Sequence, residues 1–268
     1  MKLKGLLIAG VIMVSMCGQA QAENGKLSGV FDITYTSQFV WRGFDIYADD
    51  HSAIQPGIDL NLWDTGLGLS LWYSRANQGG FENSQWLDFT LYYKNSLFEA
   101  ENYQTNYTAG YVYYCFPDEP QKGSVPGTAA MQEFFVNLSW PVLLPAGLVP
   151  SYTVAVAWPS VGGSTGHNNG GWAHILGLGY DLTVPGLTAE MPEQVLHFSV
   201  DAVYNDGIGP VPGGTEHDWS HAVIGVSTGF DLGNNLTFTP AMYYQSSWED
   251  SVNTEDELWT SLTLSYKF

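Results

Sequence analysis

The sequence has few charged side chains and very few basic ones. Only 13% of its 268 residues are charged, and 8 Lys and Arg stand against 27 Asp and Glu, which gives a formal net charge of −19. Soluble proteins usually carry about twice this charged fraction. Because such an acidic chain repels phosphate backbones, nucleic acid is not expected as a partner, and cations are the expected counter-species.

Cysteine is also scarce. The chain has two, Cys17 and Cys115, and Cys17 lies in an N-terminal segment that we expect to be removed. One remaining thiol cannot form an internal disulfide, so a disulfide-stapled scaffold is excluded. A lipoprotein anchored through Cys17 is an alternative, although Met16 is a poor residue to precede a lipidated cysteine.

Long apolar runs are missing as well, since none reaches the ~20 residues of a transmembrane helix. The longest, GLLIAGVIMVSM, follows Lys2 and Lys4 and precedes small residues at Ala20 and Ala22. A basic start, a short apolar run and an A-x-A-like site are typical of a signal peptide. We therefore predict a signal peptide over residues 1–22 and one mature domain over residues 23–268.

Apolar and polar residues alternate instead, in twelve stretches of about ten residues each. They are LSGVFDITYT, AIQPGIDLNLW, LGLSLWYSR, QWLDFTLYYK, NYTAGYVYY, MQEFFVNLSW, SYTVAVAW, HILGLGYDLTV, VLHFSVDAVY, HAVIGVSTGF, LTFTPAMYYQ and WTSLTLSYKF. A period of two predicts strands with two different faces, and this length suits a tilted strand that crosses a bilayer. The prediction is an all-β fold, a single antiparallel up-and-down transmembrane β-barrel of about 12 strands.

The two faces of these strands differ in polarity. One face is almost wholly apolar, as at Phe31, Ile33 and Tyr35, and the other collects the charges. A register slip would move the charges into lipid, at a cost of about 2–4 kcal/mol for each basic group and somewhat less for an acid. Several such costs exceed a typical stability of ~5–15 kcal/mol. The residues that we predict to line a pore are Asp32, Arg42, Asp59, Asp88, Glu133, Asp181, Asp201 and Asp231.

A soluble β-sandwich also has alternating strands, but its outward face carries many Lys, Arg and Glu. Here the polar face is mostly Thr, Ser, Gly and Asn, which favours the barrel. Inward Gly and Ser are expected to thin the lining of the lumen. Aromatic residues near the strand ends match the interfacial girdles of membrane proteins. They are Tyr35, Trp41, Trp63, Trp72, Tyr73, Trp86, Tyr113, Trp140, Trp158, Trp172, Trp219 and Trp248.

The connections alternate between compact turns and longer, polar, acidic loops, as in outer-membrane barrels. The final stretch, WTSLTLSYKF, ends in Phe268 and resembles the assembly signal of bacterial outer-membrane proteins. That resemblance implies delivery by periplasmic chaperones and insertion by the barrel-assembly machinery. The expected location is the bacterial outer membrane, with its lipids as partners. The oligomeric state is left open.

The segment SQFVWRGFDIYADDHSAIQPGIDLNLWDTGLGLSLWYSRAN resembles the start of the TorF family, outer-membrane β-barrel porins of unknown substrate. Gln38 stands where an acid is usual in that family, and Phe39 where Tyr is usual. The resemblance implies an outer-membrane pore and no particular substrate. The residues that carry it are Ser37, Phe39, Arg42, Gly43, Ala53, Gln55, Gly57, Gly66, Trp72 and Ser74.

Several residue groups invite a chemical interpretation. Arg42 follows the parity of the inward residues, so it is either part of a constriction or the partner of a neighbouring carboxylate. In HFSVD, His197, Ser199 and Asp201 share a strand face, but alternate residues lie ~6.5–7 Å apart, too far for a catalytic triad. The acidic segments Asp49–His51 and Glu249–Glu257 lack the spacing of a calcium loop.

The predicted function is therefore a porin-like channel for passive diffusion of small polar or cationic solutes, with no enzymatic activity, cofactor or metal. Twelve strands enclose more space than the eight that side chains fill, and an acidic lining favours cations. One alternative is a plugged structural or adhesive barrel with ion-binding acidic loops. Another is an outer-membrane hydrolase.

Overall fold

The computed structural model describes residues 26–48, 50–117, 130–145, 147–160, 168–186, 193–210 and 214–268. The predicted signal peptide and Cys17 lie outside these residues. The described strands are β1 Ser28–Thr36, β2 Val40–Trp41, β3 Phe44–Asp45, β4 Ala53–Asn61, β5 Leu67–Ala76, β6 Trp86–Leu97, β7 Thr105–Cys115, β8 Met131–Ser139, β9 Leu148–Pro159, β10 Gly171–Val184, β11 Gln194–Asp206, β12 His217–Thr228, β13 Phe230–Gly233, β14 Leu236–Ser247 and β15 Glu257–Lys267. None of the described residues forms a helix that is long and apolar enough to cross a membrane.

All strands except the small hairpin β2–β3 join one antiparallel sheet. The sheet closes on itself because β1 pairs with β15 as well as with β4, and β12 pairs with β14. β13 continues β12 beyond Gly229, so the wall of the barrel has twelve strands. The predicted strand number and topology are confirmed. Closure leaves no unpaired sheet edge, which is the condition for strands to lie in hydrocarbon.

The two ends of the barrel differ in their connections. One end, here called the short-turn end, carries the connections 62–66, 98–104, 140–147, 185–193 and 234–235. The opposite end, here called the long-loop end, carries the connections 37–52, 77–85, 116–130, 160–170, 207–216 and 248–256. The first of these long connections contains β2 and β3, and it positions the candidate site.

The outward face of the wall is apolar, as the alternation predicts. Phe31 and Ile33 on β1 are exposed, whereas Asp32 between them faces the lumen and is partly covered. Cross-strand neighbours keep this parity around the ring: Phe31 stands opposite Ile58 and Tyr266, and Ile58 opposite Leu71. A continuous band of apolar side chains therefore surrounds the barrel.

The buried core lies inside the long-loop half of the lumen. There, inward side chains of the wall pack around the first long connection. The cluster comprises Phe39, Tyr47, Ala53, Ala76, Trp86, Val112, Tyr114, Met131, Ala157, Ala173 and Ile208. Trp41 and Trp72 pack against it.

The interfacial position predicted for Trp41, Trp72 and Trp86 is therefore wrong. Trp86 is only 1% exposed, and its ring lies 5.6 Å from that of Phe39. The physical reason is strand parity, because Trp72 alternates with Ser70 and Ser74 and Trp86 with Asp88, all of which face the lumen.

The lumenal glycines do not simply thin the lining. A Cβ on Gly68 would lie 2.1 Å from the ring of Tyr92, and a Cβ on Gly110 would lie 2.7 Å from the ring of Phe135. Each glycine stands directly opposite that aromatic residue on the next strand. The rings cover the glycines, which is a known arrangement for glycine in a sheet. The lumen therefore loses part of the space that glycine would leave.

Candidate functional site

A hairpin enters the lumen from the long-loop end. Residues 37–48, here called the plug, contain β2 and β3, in which Val40 pairs with Asp45 and Trp41 with Phe44. Arg42 and Gly43 form the tip, with φ of 49° and 92°. Positive φ at both central residues is typical of a two-residue turn that matches strand twist. Glycine adopts it freely, whereas Arg42 holds it at a cost of order 1–3 kcal/mol, which its contacts must offset.

Arg42 binds the far wall of the barrel. Its Nη2 donates to Oε1 of Glu133 on β8 at 2.6 Å, and the two side chains are 13% and 3% exposed. The hydroxyl of Tyr114 donates to the other carboxylate oxygen of Glu133 at 3.0 Å. The guanidinium carbon also lies 5.0 Å from the ring centroid of Trp41. Arg42 therefore sits at a hairpin tip rather than on a wall strand, and it is paired with a carboxylate.

Other polar contacts attach the plug elsewhere on the ring. Gln38 Nε2 donates to Glu257 Oε2 on β15 at 2.6 Å. The carbonyl of Gly43 accepts from Gln245 Nε2 on β14 at 2.9 Å and from Asn253 Nδ2 at 3.2 Å. Since β8 and β15 lie on opposite sides of the closed sheet, the plug crosses the lumen.

Aromatic rings fill the space between the plug and the wall strands β5 to β7. The Phe39 ring lies 5.4 Å from those of Trp72 and Tyr47, and Trp41 contacts Trp86 and Tyr114. Each such pair contributes about 0.5–1.5 kcal/mol beyond the area it buries.

Tyr47 anchors the other end of the plug. Burial raises its pKa to about 12, so the phenol stays protonated and its hydroxyl donates to Ser74 Oγ at 3.2 Å. The plug is thus held by both apolar packing and specific hydrogen bonds.

Below the plug, the lumen carries acidic side chains. Asp32 lies over Gly57. A Cβ added to Gly57 would lie 3.2 Å from the carboxylate of Asp32 and would also be close to the ring of Trp72. Asp59 accepts a hydrogen bond from the hydroxyl of Tyr92 at 2.8 Å. Asp59 lies two residues from the short-turn end of β4, and Asp32 lies at the middle of the neighbouring β1, so the two carboxylates concentrate negative charge on one side of the wall.

The remaining predicted pore-lining acids spread over the other inward positions. Asp88 accepts from Trp86 Nε1 at 2.5 Å beside the aromatic cluster. Asp201 lies over Gly177, whose added Cβ would be 2.7 Å from its Oδ1. Asp231 lies near the short-turn end, where its carboxylate accepts from the backbone of Gly233. These acids do not form one constriction, because they occupy different heights of the barrel.

His197, Ser199 and Asp201 share a face of β11 but have different partners. His197 Nδ1 hydrogen-bonds Asp181 Oδ1 on the neighbouring strand at 2.7 Å, and both side chains are exposed to solvent. Asp201 is not that partner, and Ser199 instead lies over Gly225. No group of three or more His, Cys, Asp or Glu side chains that could hold a metal occurs in the described part of the chain.

Sequence reasoning missed the residues that fasten the plug, namely Gln38 on the plug and Gln245 and Glu257 on the wall. Gln38, Gln245 and Glu257 are buried polar residues at the long-loop end, with exposures of 2%, 0% and 8%. Their inward parity was visible in the alternation. Their pairing was not, since Gln38 and Glu257 are 219 residues apart in sequence.

Comparison with known proteins places the chain among bacterial barrels. A family model described as "Bacterial protein of unknown function (Gcw_chp)" matches residues 21–191. That description names no porin, so the resemblance to the TorF family stays a prediction. No curated protein matches the sequence.

Solved structures share the fold at low sequence identity. The NanC porin superposes with a TM-score of 0.53 at 9% identity, over 89% of this chain and 100% of that one. The KdgM porin gives a TM-score of 0.50 at 11% identity, over 89% and 99%. An outer membrane channel from Pseudomonas putida F1 gives 0.49 at 12% identity, over 92% and 97%. The fold is a twelve-strand outer-membrane barrel, and short turns face the periplasm in such barrels.

Proposed function

The chain belongs to the Gcw_chp family of bacterial proteins of unknown function, and we propose that it forms an outer-membrane channel for small polar or cationic solutes. In the conformation described here the plug crosses the outer half of its lumen. The observation that carries the proposal is the closed ring of strands with acids on its inner face. Export through a signal peptide over residues 1–22 and insertion by chaperones and the barrel-assembly machinery are part of the proposal.

The acidic lining supports selection of cations. Asp32, Asp59 and Asp201 face the lumen. Lys94 lies 5.6 Å from the ring of Tyr92, whose hydroxyl donates to Asp59. Negative groups in a narrow passage with low-dielectric walls raise the local concentration of cations and repel anions. Diffusion with electrostatic selection is the mechanism that this arrangement favours.

The plug determines when solutes could pass. Its contacts reach β5 to β8, β14 and β15, so it narrows the space that is left for solutes. The same contacts favour a second candidate function, a structural barrel whose lumen is permanently plugged. The two candidates differ in what happens when the plug is removed.

Planar-bilayer recording distinguishes them. In the test variant, residues 39–46 are replaced by two glycines, and folding is checked by heat-dependent electrophoretic migration of the closed barrel. We expect the variant to show larger and more frequent conductance steps than the intact protein, with a reversal potential that favours K⁺ over Cl⁻. A folded variant that shows no conductance, or one that prefers anions, would count against the channel and favour the structural barrel.

A further inference from the structure

Two neighbouring connections at the short-turn end carry exposed apolar side chains. In the connection 140–147, Val142, Leu143 and Leu144 are 49%, 48% and 40% exposed. This segment reads WPVLLPAG and contains no charged residue. Turns that face water are usually built from Gly, Pro, Asn, Asp and Ser. Contiguous exposed apolar side chains mark a surface that contacts lipid or a partner.

The connection 98–104 continues the same surface. Leu97, Phe98 and Tyr103 are 48%, 57% and 47% exposed, and the rings of Phe98 and Tyr103 lie 5.2 Å apart. Phe98 holds a φ of 58°, which a bulky residue adopts only at a cost. The two connections are neighbours because β7, which follows the first, pairs with β8, which precedes the second. The turn surface is defined here as Leu97, Phe98, Tyr103, Val142, Leu143 and Leu144.

The turn surface joins the apolar band that surrounds the barrel. Leu97 has the parity of Leu91 on β6, which is 50% exposed on the outward face. On β8 the outward Leu138 is followed two residues later by Trp140, and then by Val142. The turn surface is therefore continuous with the face of the wall that contacts lipid.

Two other short turns are more polar. The connection 62–66 contains Asp64 and Thr65, and the connection 234–235 consists of two asparagines. The apolar band therefore extends further toward the periplasm beside β6 to β9 than beside β4, β5 and β14.

The backbone of the second turn has few free donors. Pro141 and Pro145 have no N–H. The amides of Trp140 and Leu143 donate to the carbonyls of Pro150 and Trp140, at 3.0 and 3.4 Å. A backbone donor that leaves water without a partner is costly, so these features lower the cost of moving this turn into an apolar phase.

We infer that the turn surface inserts into the periplasmic leaflet of the outer membrane, with its apolar side chains at the boundary between phospholipid headgroups and acyl chains. Lipid is the occupant because the surface continues the lipid-facing band and its second turn is uncharged. Glu99 and Glu101 on the first turn are exposed and stay at the level of the headgroups. The inference rests on the location of the barrel in the outer membrane and does not require that the barrel conducts.

Spin labelling of the full-length mature protein, in vesicles of phosphatidylethanolamine and phosphatidylglycerol, tests the insertion. A nitroxide is attached at Leu143→Cys, in a Cys115→Ser background that removes the thiol of the described chain. Its collision rate with O₂, which dissolves in hydrocarbon, is divided by its collision rate with a water-soluble nickel chelate. We expect this ratio to be several-fold higher than at Thr65→Cys, the matched control on a polar turn. Heat-dependent electrophoretic migration checks folding, and Val142→Cys on the same turn carries the label if Leu143→Cys does not fold.

A second measurement asks whether the two turns insert as one surface. With the label at Phe98→Cys, the added changes Leu143→Asp and Leu144→Asp should lower the ratio of O₂ to nickel collisions. The reason is that charge on the neighbouring turn draws the surface toward water. The control change Thr65→Asp should leave the ratio at Phe98→Cys unchanged.

Three results would overturn the inference. Equal ratios at Leu143→Cys and Thr65→Cys would place both turns in water, as expected of a docking surface for a periplasmic protein. A label shielded from both reagents, with shielding that is lost when the protein is diluted in lipid, would indicate contact with a second copy of the chain. A ratio at Phe98→Cys that does not respond to Leu143→Asp and Leu144→Asp would show that the two turns do not act together.

Discussion

Breaking the pair between Arg42 and Glu133 tests how the plug is held. Both side chains are largely buried, at 13% and 3% exposure. Removing one partner of a buried pair costs about 3–5 kcal/mol, because the other charge stays in a low-dielectric site. After Arg42→Met, Glu133 keeps the hydroxyl of Tyr114 as a donor, so we expect the lower end, about 3 kcal/mol.

That cost applies to docking of the plug rather than to closure of the barrel. Since 1.4 kcal/mol is tenfold in an equilibrium constant, the docked state should weaken by about 100-fold. The amide of Ile46 donates to the carbonyl of Phe39 at 2.9 Å within the plug, so its hydrogen exchange measures this change. Glu133→Gln should act in the same direction, because it leaves the guanidinium of Arg42 without a counter-charge.

The double variant decides whether the pair itself is responsible. Arg42→Met with Glu133→Gln removes both charges, so its effect should be smaller than the sum of the two single effects, with a coupling of about 0.5–3 kcal/mol. If the two effects simply add, or if Arg42→Met leaves Ile46 exchange within twofold of the unchanged protein, this account of the plug is refuted.

Three further predictions concern the lumen. Gly68→Ala should destabilise the barrel by about 1–3 kcal/mol in urea unfolding, because the added Cβ would lie 2.1 Å from the ring of Tyr92. The control, Gly179→Ala, should be close to neutral, because its Cβ would have no neighbour nearer than 3.8 Å. As the pH falls from 7 to 4, plug docking in the unchanged protein should gain relative to docking in Asp45→Asn, because burial and then the charge of Glu257 raise the folded-state pKa of Asp45; this gain is complete below the unfolded pKa and is lost as the pH rises through the folded value. Exchange of the Ile46 amide in the two proteins measures the difference. Asp59→Asn should lower the ratio of K⁺ to Cl⁻ permeability in the plug-deleted barrel, measured by reversal potential, whereas Asp250→Asn should leave it unchanged.

Each of these predictions has a clear contrary outcome. Equal urea midpoints for Gly68→Ala and Gly179→Ala would show that the ring can move aside. An equal dependence of Ile46 exchange on pH in the unchanged protein and in Asp45→Asn would mean that the Asp45 proton plays no part in docking. An unchanged permeability ratio in Asp59→Asn would place the selective charges elsewhere in the lumen.

The wall of the barrel was predictable from local alternation. In a strand, adjacent side chains point to opposite faces, so a stretch such as FDITY places Phe31 and Ile33 on one face and Asp32 on the other, without knowledge of the neighbours. The same rule also predicts which face Trp72 and Trp86 occupy. Their parity with Ser74 and Asp88 indicated the lumen, whereas the general preference of Trp for interfaces suggested the opposite and was wrong there.

The candidate site was less predictable. The segment around Arg42 and Gly43 continues the alternation of β1, so parity alone placed Arg42 on a wall strand. Its real position depends on a tight turn and on a partner 91 residues away in sequence. Alternation within one strand is a local pattern, so it does not predict contacts between residues that are distant in sequence.

The amino-acid sequence by itself determined the strands, their number, the apolar outer face and the acidic inner face, because each follows from alternation within about ten residues and from the cost of charge in lipid. Only the tertiary structure decided that the first long connection turns back into the lumen and crosses its outer half. That outcome depends on buried partners from strands far apart in the chain, such as Glu133 and Glu257, which meet the plug only after the ring of strands has closed.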